Sequence, residues 1–144
     1  MISTKGRYSL RVMLDLAQQD SDTYTPLDEI AARQELSKKY LEIIIKSLVK
    51  RKLLKGSRGK GGGYKLTRRP DEYSVGEIIE LAEGTLAVVA CLTPDADTCP
   101  RSTDCLTLPM WQGYNELIHS YFYSITLTDI LEGKPLPKIN ISAS

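Results

Sequence analysis

The sequence predicts a mainly α fold with a small β-hairpin wing, that is, a winged helix-turn-helix domain followed by a long C-terminal dimerisation helix. Three observations predict it. Residues 1–70 hold 16 Lys/Arg against 7 Asp/Glu, a net of +9, and residues 71–144 hold 3 against 11, a net of −8, so the overall +1 conceals a dipolar chain. A basic half of this kind suits a polyanion. Two short helical patterns separated by a few residues, the second amphipathic and basic, form the helix-turn-helix arrangement. The glycine-rich, basic stretch Leu53–Thr67 follows directly and suits a hairpin with a charged tip.

Along the chain, Tyr8, Leu10, Val12, Met13, Leu14 and Leu16 recur partly at helical spacing, with Ser3 or Thr4 as the cap. Thr25 is expected to cap a second helix over about residues 26–34, with Pro26 at its first position and Asp28 and Glu29 in its first turn. Ser37 opens the third, in which Tyr40, Leu41, Ile44, Ile45, Leu48 and Val49 form the buried stripe while Lys38, Lys39, Glu42, Lys46 and Lys50 face out.

Leu53, Leu54, Tyr64 and Leu66 then supply the strands of the wing. Its glycines allow positive φ at the tip and close approach to phosphates, and Arg58, Lys60 and Lys65 add charge. GKGGG lacks the G-x-x-x-x-G-K-[ST] spacing of a nucleotide-binding loop, because Lys60 lies between glycines and Lys65 is followed by Leu66.

After the wing, Ser74 caps a helix with Val75, Ile78, Ile79 and Leu81 on its buried side, and a polar loop over about residues 90–107 holds all three cysteines. Met110, Trp111, Tyr114, Leu117, Ile118, Tyr121, Phe122 and Ile125 then sustain an apolar stripe wide enough to need a partner helix, which is best supplied by a second copy. Thr128–Leu131 can add a last helical turn. The expected organisation is a DNA-binding region over residues 1–70, a linker helix, cysteine loop and dimerisation helix over 71–133, and a flexible tail over 134–144. With no leader-like apolar segment and no apolar run near the roughly 20 residues of a membrane span, the reading is a cytoplasmic protein.

Cys91, Cys99 and Cys105 are spaced C-x7-C-x5-C. An odd count disfavours a disulfide framework, and paired zinc knuckles are absent. Three thiolates on one irregular loop suit an iron-sulfur cluster if a fourth ligand is found; thiol redox sensing and unrelated thiols remain alternatives. His119 lies about eleven residues past the expected start of the last long helix at Leu108, roughly 16 Å along its axis, which makes it an interface residue rather than a ligand. Without a general base near the cysteines, an enzyme with a thiolate nucleophile is not expected. Glu42 has two readings, a surface ion pair with Lys38, Lys39 or Lys46, or acceptance of a hydrogen bond from the cytosine amino group in the major groove.

Taken together, KGRYSLRVMLDLA at Lys5–Ala17, LSKKYLE at Leu36–Glu42, RGKGGGYKL at Arg58–Leu66, VGEII at Val75–Ile79 and the CLT before the tryptophan helix resemble the Rrf-type winged-helix transcriptional regulators, in particular their iron-sulfur-cluster members. The resemblance runs from about Thr4 to Leu131. It implies a homodimer whose long helix crosses its twin, recognition helices in successive major grooves of double-stranded operator DNA, and control of iron-sulfur biogenesis genes by repression or activation. The DNA-binding residues expected are Ser37, Lys38, Lys39, Tyr40, Glu42 and Lys46 of the third helix, with Arg58, Lys60, Gly61 and Gly62 of the wing. Within the family a glutamate matching Glu42 discriminates between site classes, and an arginine matching Arg58 lies near the minor groove. The resemblance assigns the iron of a cluster, 2Fe-2S or else 4Fe-4S, to Cys91, Cys99 and Cys105. The family pattern is C-x5-C-x5-C with a histidine three residues later, whereas here the first spacing is x7 and that position is Leu108. Asp95, Asp97, Asp104, an exogenous thiol or the other subunit are the candidates for the fourth ligand. Nitric-oxide-sensing relatives carry an acidic ligand near the N-terminus where this chain has Arg7-Tyr8, and other relatives regulate cysteine metabolism or respond to redox without a cluster.

Overall fold

A computed structural model describes residues 1–140 of the chain; of the expected tail, 141–144 lie outside the described residues. In chain order the elements are α1 (Thr4–Ala17), α2 (Leu27–Gln34), α3 (Lys38–Lys50), β1 (Leu54–Ser57), β2 (Gly63–Leu66), a 3-10 turn (Pro70–Glu72), α4 (Val75–Glu83), a second 3-10 turn (Ala90–Leu92), α5 (Leu108–Tyr123) and α6 (Leu127–Leu131). Caps set several of these boundaries: the hydroxyls of Ser3, Ser37 and Ser74 accept from the backbone N–H of Gly6, Tyr40 and Glu77.

The core lies where α1, α3 and the base of the wing meet. Val12, Met13 and Leu16 of α1, Ile30 of α2, and Leu41, Ile44, Ile45 and Leu48 of α3 are buried together with Leu53, Leu54, Tyr73, Ile78 and Leu127. A second cluster joins Val75 and Ile79 of α4 to Leu86 and Ile125. Thus α4 serves both clusters, with Ile78 on one side and Val75 and Ile79 on the other. The chain returns to it after α5, where Val75 N–H donates to the Ile125 carbonyl (2.8 Å) and Leu127 N–H to the Tyr73 carbonyl (3.2 Å).

One carboxylate inside this core fixes the angle between α1 and α2. Asp15 is buried and receives Arg33 through Nε (3.0 Å) and Nη2 (2.8 Å), with Gln34 Nε2 adding a third donor at 2.8 Å. Such a fork-on-carboxylate arrangement satisfies the buried charge. It holds the end of α2 just before the turn into α3, where Glu35 takes a left-handed conformation at φ 54°.

The wing is antiparallel, pairing Leu54 with Leu66 and Ser57 with Gly63. Thr25 proves not to be the α2 cap. Its backbone exchanges two hydrogen bonds with Tyr64 (2.9 and 2.8 Å), a single antiparallel bridge that ties the chain before α2 to the two-stranded wing, and Pro26 takes the cap position without a side-chain bond. Gly63 makes this approach feasible: its φ is 143°, and a Cβ there would collide with the Thr25 carbonyl.

The base of the wing closes on the Tyr73 side chain. Its hydroxyl donates to the Leu53 carbonyl (2.7 Å) and accepts from the N–H groups of Thr67 (2.9 Å) and Arg68 (3.0 Å). Tyr73→Phe leaves these groups short of partners in a fully buried position, so it should lower stability by about 1–3 kcal/mol while keeping the fold. Urea unfolding measures this; a loss below about 0.5 kcal/mol would show that the hydroxyl does not carry the junction.

Candidate functional site

The residues singled out from the sequence fall in two regions, namely the outer face of α3 with the wing tip, and the loop between α4 and α5. On α3, Leu41, Ile44, Ile45 and Leu48 face the core, which forces Lys39, Glu42, Ile43, Lys46 and Lys50 onto one exposed stripe at spacings of three and four residues. Ile43 was not distinguished by the sequence reading. It sits in an Ile-Ile-Ile run, yet it is 53% exposed while Ile44 and Ile45 are buried. A helical projection of Lys39, Glu42 and Lys46 would have singled it out.

Ser37 starts α3 and is itself exposed. The Lys38 ammonium lies 2.9 Å from Asp28 on α2, and this carboxylate raises its pKa. Lys38 thus bridges the two helices of the motif and offers less free charge than Lys39 and Lys46. Tyr40 is half-buried, its ring meeting that of Tyr8 edge-on at 5.9 Å. Arg11 covers the Tyr8 ring at 5.0 Å and donates to the Gln34 carbonyl (2.7 Å). The ion pair considered for Glu42 with Lys38, Lys39 or Lys46 does not form: among the described residues no cation lies within 4.0 Å of its carboxylate. Glu42 therefore stands exposed and unpaired among lysines.

At the wing tip Arg58, Lys60 and Gly61 are exposed and Gly62 is half-buried. Gly59 (φ 87°) and Gly61 (φ 74°) make the turn, closed by Gly62 N–H to the Gly59 carbonyl at 3.0 Å. Lys65 instead turns back, its ammonium 4.6 Å above the Tyr24 ring. The charge available at the tip is thus that of Arg58 and Lys60.

The second region begins after Gly84, the left-handed residue that ends α4. Cys91 is exposed, Cys99 and Cys105 are partly so, and none forms a disulfide. Among the described residues, the backbone hydrogen bonds between Val89 and Leu108 all close four-residue turns, as in Ser102 N–H to the Cys99 carbonyl (2.9 Å). The three thiols are not gathered, and among the described residues no group of three or more His, Cys, Asp or Glu side chains is arranged to hold a metal ion. Cys105, 3.5 Å from the Thr107 hydroxyl at the start of α5, has its pKa lowered chiefly by that side chain. Leu108, three residues after Cys105, is the first residue of α5 and offers no donor.

His119 is far from the loop by the chain and is engaged within the protomer. Its Nδ1 lies 2.8 Å from the Asn115 carbonyl, its Nε2 3.9 Å from Glu80, and its ring stacks on Tyr123. The Tyr123 hydroxyl donates to Glu80, and burial followed by that carboxylate pushes its pKa up to about 12. This group fastens α5 to α4.

No residue of α5 is buried. Met110, Tyr114 and Leu117 are 57, 50 and 40% exposed and lie at i, i+4 and i+7. Trp111 and Ile118 are half-buried. Ile118 lines a hollow of about 410 Å³ together with Ile2, Leu86, Val88 and Phe122 of the same protomer.

Comparison with known proteins agrees with this geometry. The family model described as Rrf2, iron-dependent transcriptional regulator, matches residues 2–133. The HTH-type transcriptional regulator IscR of Aliivibrio salmonicida is 32% identical over 139 residues, covering 96% of this chain and 82% of that protein. Among solved structures, CymR, the global cysteine regulator of B. subtilis, superposes with a TM-score of 0.74 at 32% identity, covering 94% of this chain and 98% of its own. T. potens IscR gives 0.71 at 36% identity, covering 92% and 87%. Among the described residues no helix is long and apolar enough to cross a membrane. A helix-turn-helix with a basic exposed stripe, a glycine-turned wing and a match across residues 2–133 have one reading: the chain belongs to the Rrf2 family of transcriptional regulators, DNA-binding proteins rather than enzymes.

Proposed function

We propose that this regulator acts in the cytoplasm as a homodimer that reads operator DNA through α3 and the wing, and that an iron-sulfur cluster on Cys91, Cys99 and Cys105 sets its DNA binding, with iron-sulfur biogenesis genes as targets. The observation that carries the reading is the presence, on one chain, of an unpaired basic stripe with Glu42 in it and of three undisulfided thiols between residues 91 and 105. The donor set suits the group: thiolates are the ligands of iron-sulfur clusters, and the loop, closed only by short turns, can bring them together at low cost. When bound, the cluster would supply a redox-active and oxidation-labile centre. The chain's own contribution is to place the loop between α4, which packs on α1, and α5. Ser3 also links the first turn of α1 to Glu83 at the end of α4, through its N–H (2.9 Å) and its hydroxyl (2.6 Å).

On the DNA side, Lys39, Lys46, Arg58 and Lys60 neutralise phosphates, Ser37 and Tyr40 lie at the start of the recognition helix, Lys38 braces it, and Gly61 and Gly62 let the wing approach the backbone. Glu42, repelled by phosphates and free of a protein partner, reads or excludes bases. The exposed Met110, Tyr114 and Leu117 face of α5 meets its twin.

A second reading has its own support. Position 108 is leucine, the cysteines are not gathered, and CymR structures superpose as well as IscR. In that reading the thiols act directly in redox or cysteine-linked regulation, without a cluster.

Anaerobic purification with iron and sulfide analysis separates the two. The expected outcome is stoichiometric iron and sulfide with visible absorbance in wild type, largely lost in each of Cys91→Ser, Cys99→Ser and Cys105→Ser while the dimer stays folded; equal content in all four proteins would overturn the cluster. Tyr114→Asp with Leu117→Asp should convert the dimer to a folded monomer in sedimentation at micromolar concentration, and an undiminished dimer would contradict the α5 assignment. Glu42→Ala should bind random duplex as tightly or more tightly, because a carboxylate leaves a lysine-rich face, yet lose about 1–3 kcal/mol of discrimination between best and rejected sites. An unchanged ratio across an operator panel at one salt concentration would leave Glu42 without a role in recognition.

A further inference from the structure

Ile43 is the exception on the stripe. Lys39 precedes it by one helical turn, Lys46 follows by three residues, Glu42 is its neighbour, and its side chain is 53% exposed where Ile44 and Ile45 are buried. A single exposed isoleucine is ordinary on a protein surface, so exposure alone decides nothing. Its position does. The apolar stripe of α3 faces α1, α2 and the base of the wing, the exposed apolar residues of α5 lie on another helix, and among the described residues Ile43 belongs to neither core cluster nor to their half-buried surroundings.

The DNA-reading role of α3 proposed above puts this side chain at base edges in the major groove, and the inference rests on that reading. An isoleucine has no donor or acceptor. Set against guanine N7 and O6, adenine N6 and N7 or the cytosine amino group, it would strip water from polar atoms and return nothing. The one apolar feature the major groove presents is the C5-methyl of thymine. Isoleucine is also stiff at χ1 in a helix, so little rotamer freedom is lost when it is pressed against a base.

We infer that Ile43 is a specificity-determining residue that recognises a thymine through its 5-methyl group, at the base pair Glu42 faces or the next one along. The two neighbours then read complementary features: the carboxylate accepts from an amino group, and the isoleucine requires a methyl. A cytosine in place of that thymine is rejected, because it lacks the methyl and sets a polar amino group against the side chain.

Deoxyuridine scanning tests this directly. Wild-type protein first selects an operator from a random duplex library, and each thymine is then replaced by deoxyuridine, which removes the methyl and leaves pairing intact. Wild type should weaken about fourfold per half-site at one symmetry-related position, the value of burying one methyl-sized group. Ile43→Ala should bind thymine and deoxyuridine duplexes there equally, with an unaltered thermal melt because the side chain is already exposed, and Ile43→Val should retain most of the discrimination. A scan in which no position separates wild type from Ile43→Ala overturns the inference while leaving operator recognition intact. Failure of wild type to select any operator overturns the DNA-reading proposal, and the inference with it.

Discussion

The phenol of Tyr73 is the point on which the rest of the fold depends. It has no exposed surface, and its hydroxyl holds Leu53, at the entry to the wing, and Thr67 and Arg68, at the exit, with three hydrogen bonds of 2.7 to 3.0 Å. The Arg68 guanidinium lies 4.2 Å over its ring and reaches Glu77 on α4 at 2.7 Å. Its backbone carbonyl takes the returning chain at Leu127. A hairpin of two strands is marginal by itself. Here the wing is pinned at its base by Tyr73 and at its side by the Thr25–Tyr64 bridge, so its orientation relative to α3 is set in advance, and in the proposed DNA-reading role little ordering entropy would oppose binding.

Much of this architecture is legible in the sequence because it is encoded locally. The period of Leu41, Ile44, Ile45 and Leu48, the caps at Ser37 and Ser74, and the glycines between two short apolar runs each specify an element within a dozen residues. What was not legible rests on partners far apart in the chain. Thr25 looked like a helix cap because threonine before proline and two acids is a cap signature, yet its backbone is committed to Tyr64. Asp15, between Leu14 and Leu16, gave no hint that Arg33 and Gln34 would enclose it. Ile125 reads as the last residue of the dimerisation stripe, yet α5 ends at Tyr123 and Ile125 is buried against Val75, Ile79 and Leu86; its return, like that of Leu127, has no local signal, since the partners precede α5.

The candidate site residues divide in the same way. Lys39, Lys46, Arg58 and Lys60 were readable as exposed charge, and the structure leaves them so. Lys38 and Lys65 were readable only as charge, whereas Asp28 and the Tyr24 ring engage them. For Glu42 the pattern left an ion pair open, and geometry removed it. The cysteines were legible as donor types, but whether three thiols spread over one loop can come together is not a local property: it depends on the loop conformation, which leaves them apart here.

The loop between α4 and α5 has one more consequence. Because its backbone from Val89 to Leu108 is held by four-residue turns, it has little protection of its own against a protease, and its opening costs far less than global unfolding. Anything that joined Cys91, Cys99 and Cys105 would close the segment into two rings and remove that freedom. Cleavage between residues 90 and 107 would then report the occupancy of the thiols, and a chain with empty thiols would be turned over faster than one whose thiols are joined, so that under the proposed cluster reading the amount of protein would itself vary with occupancy.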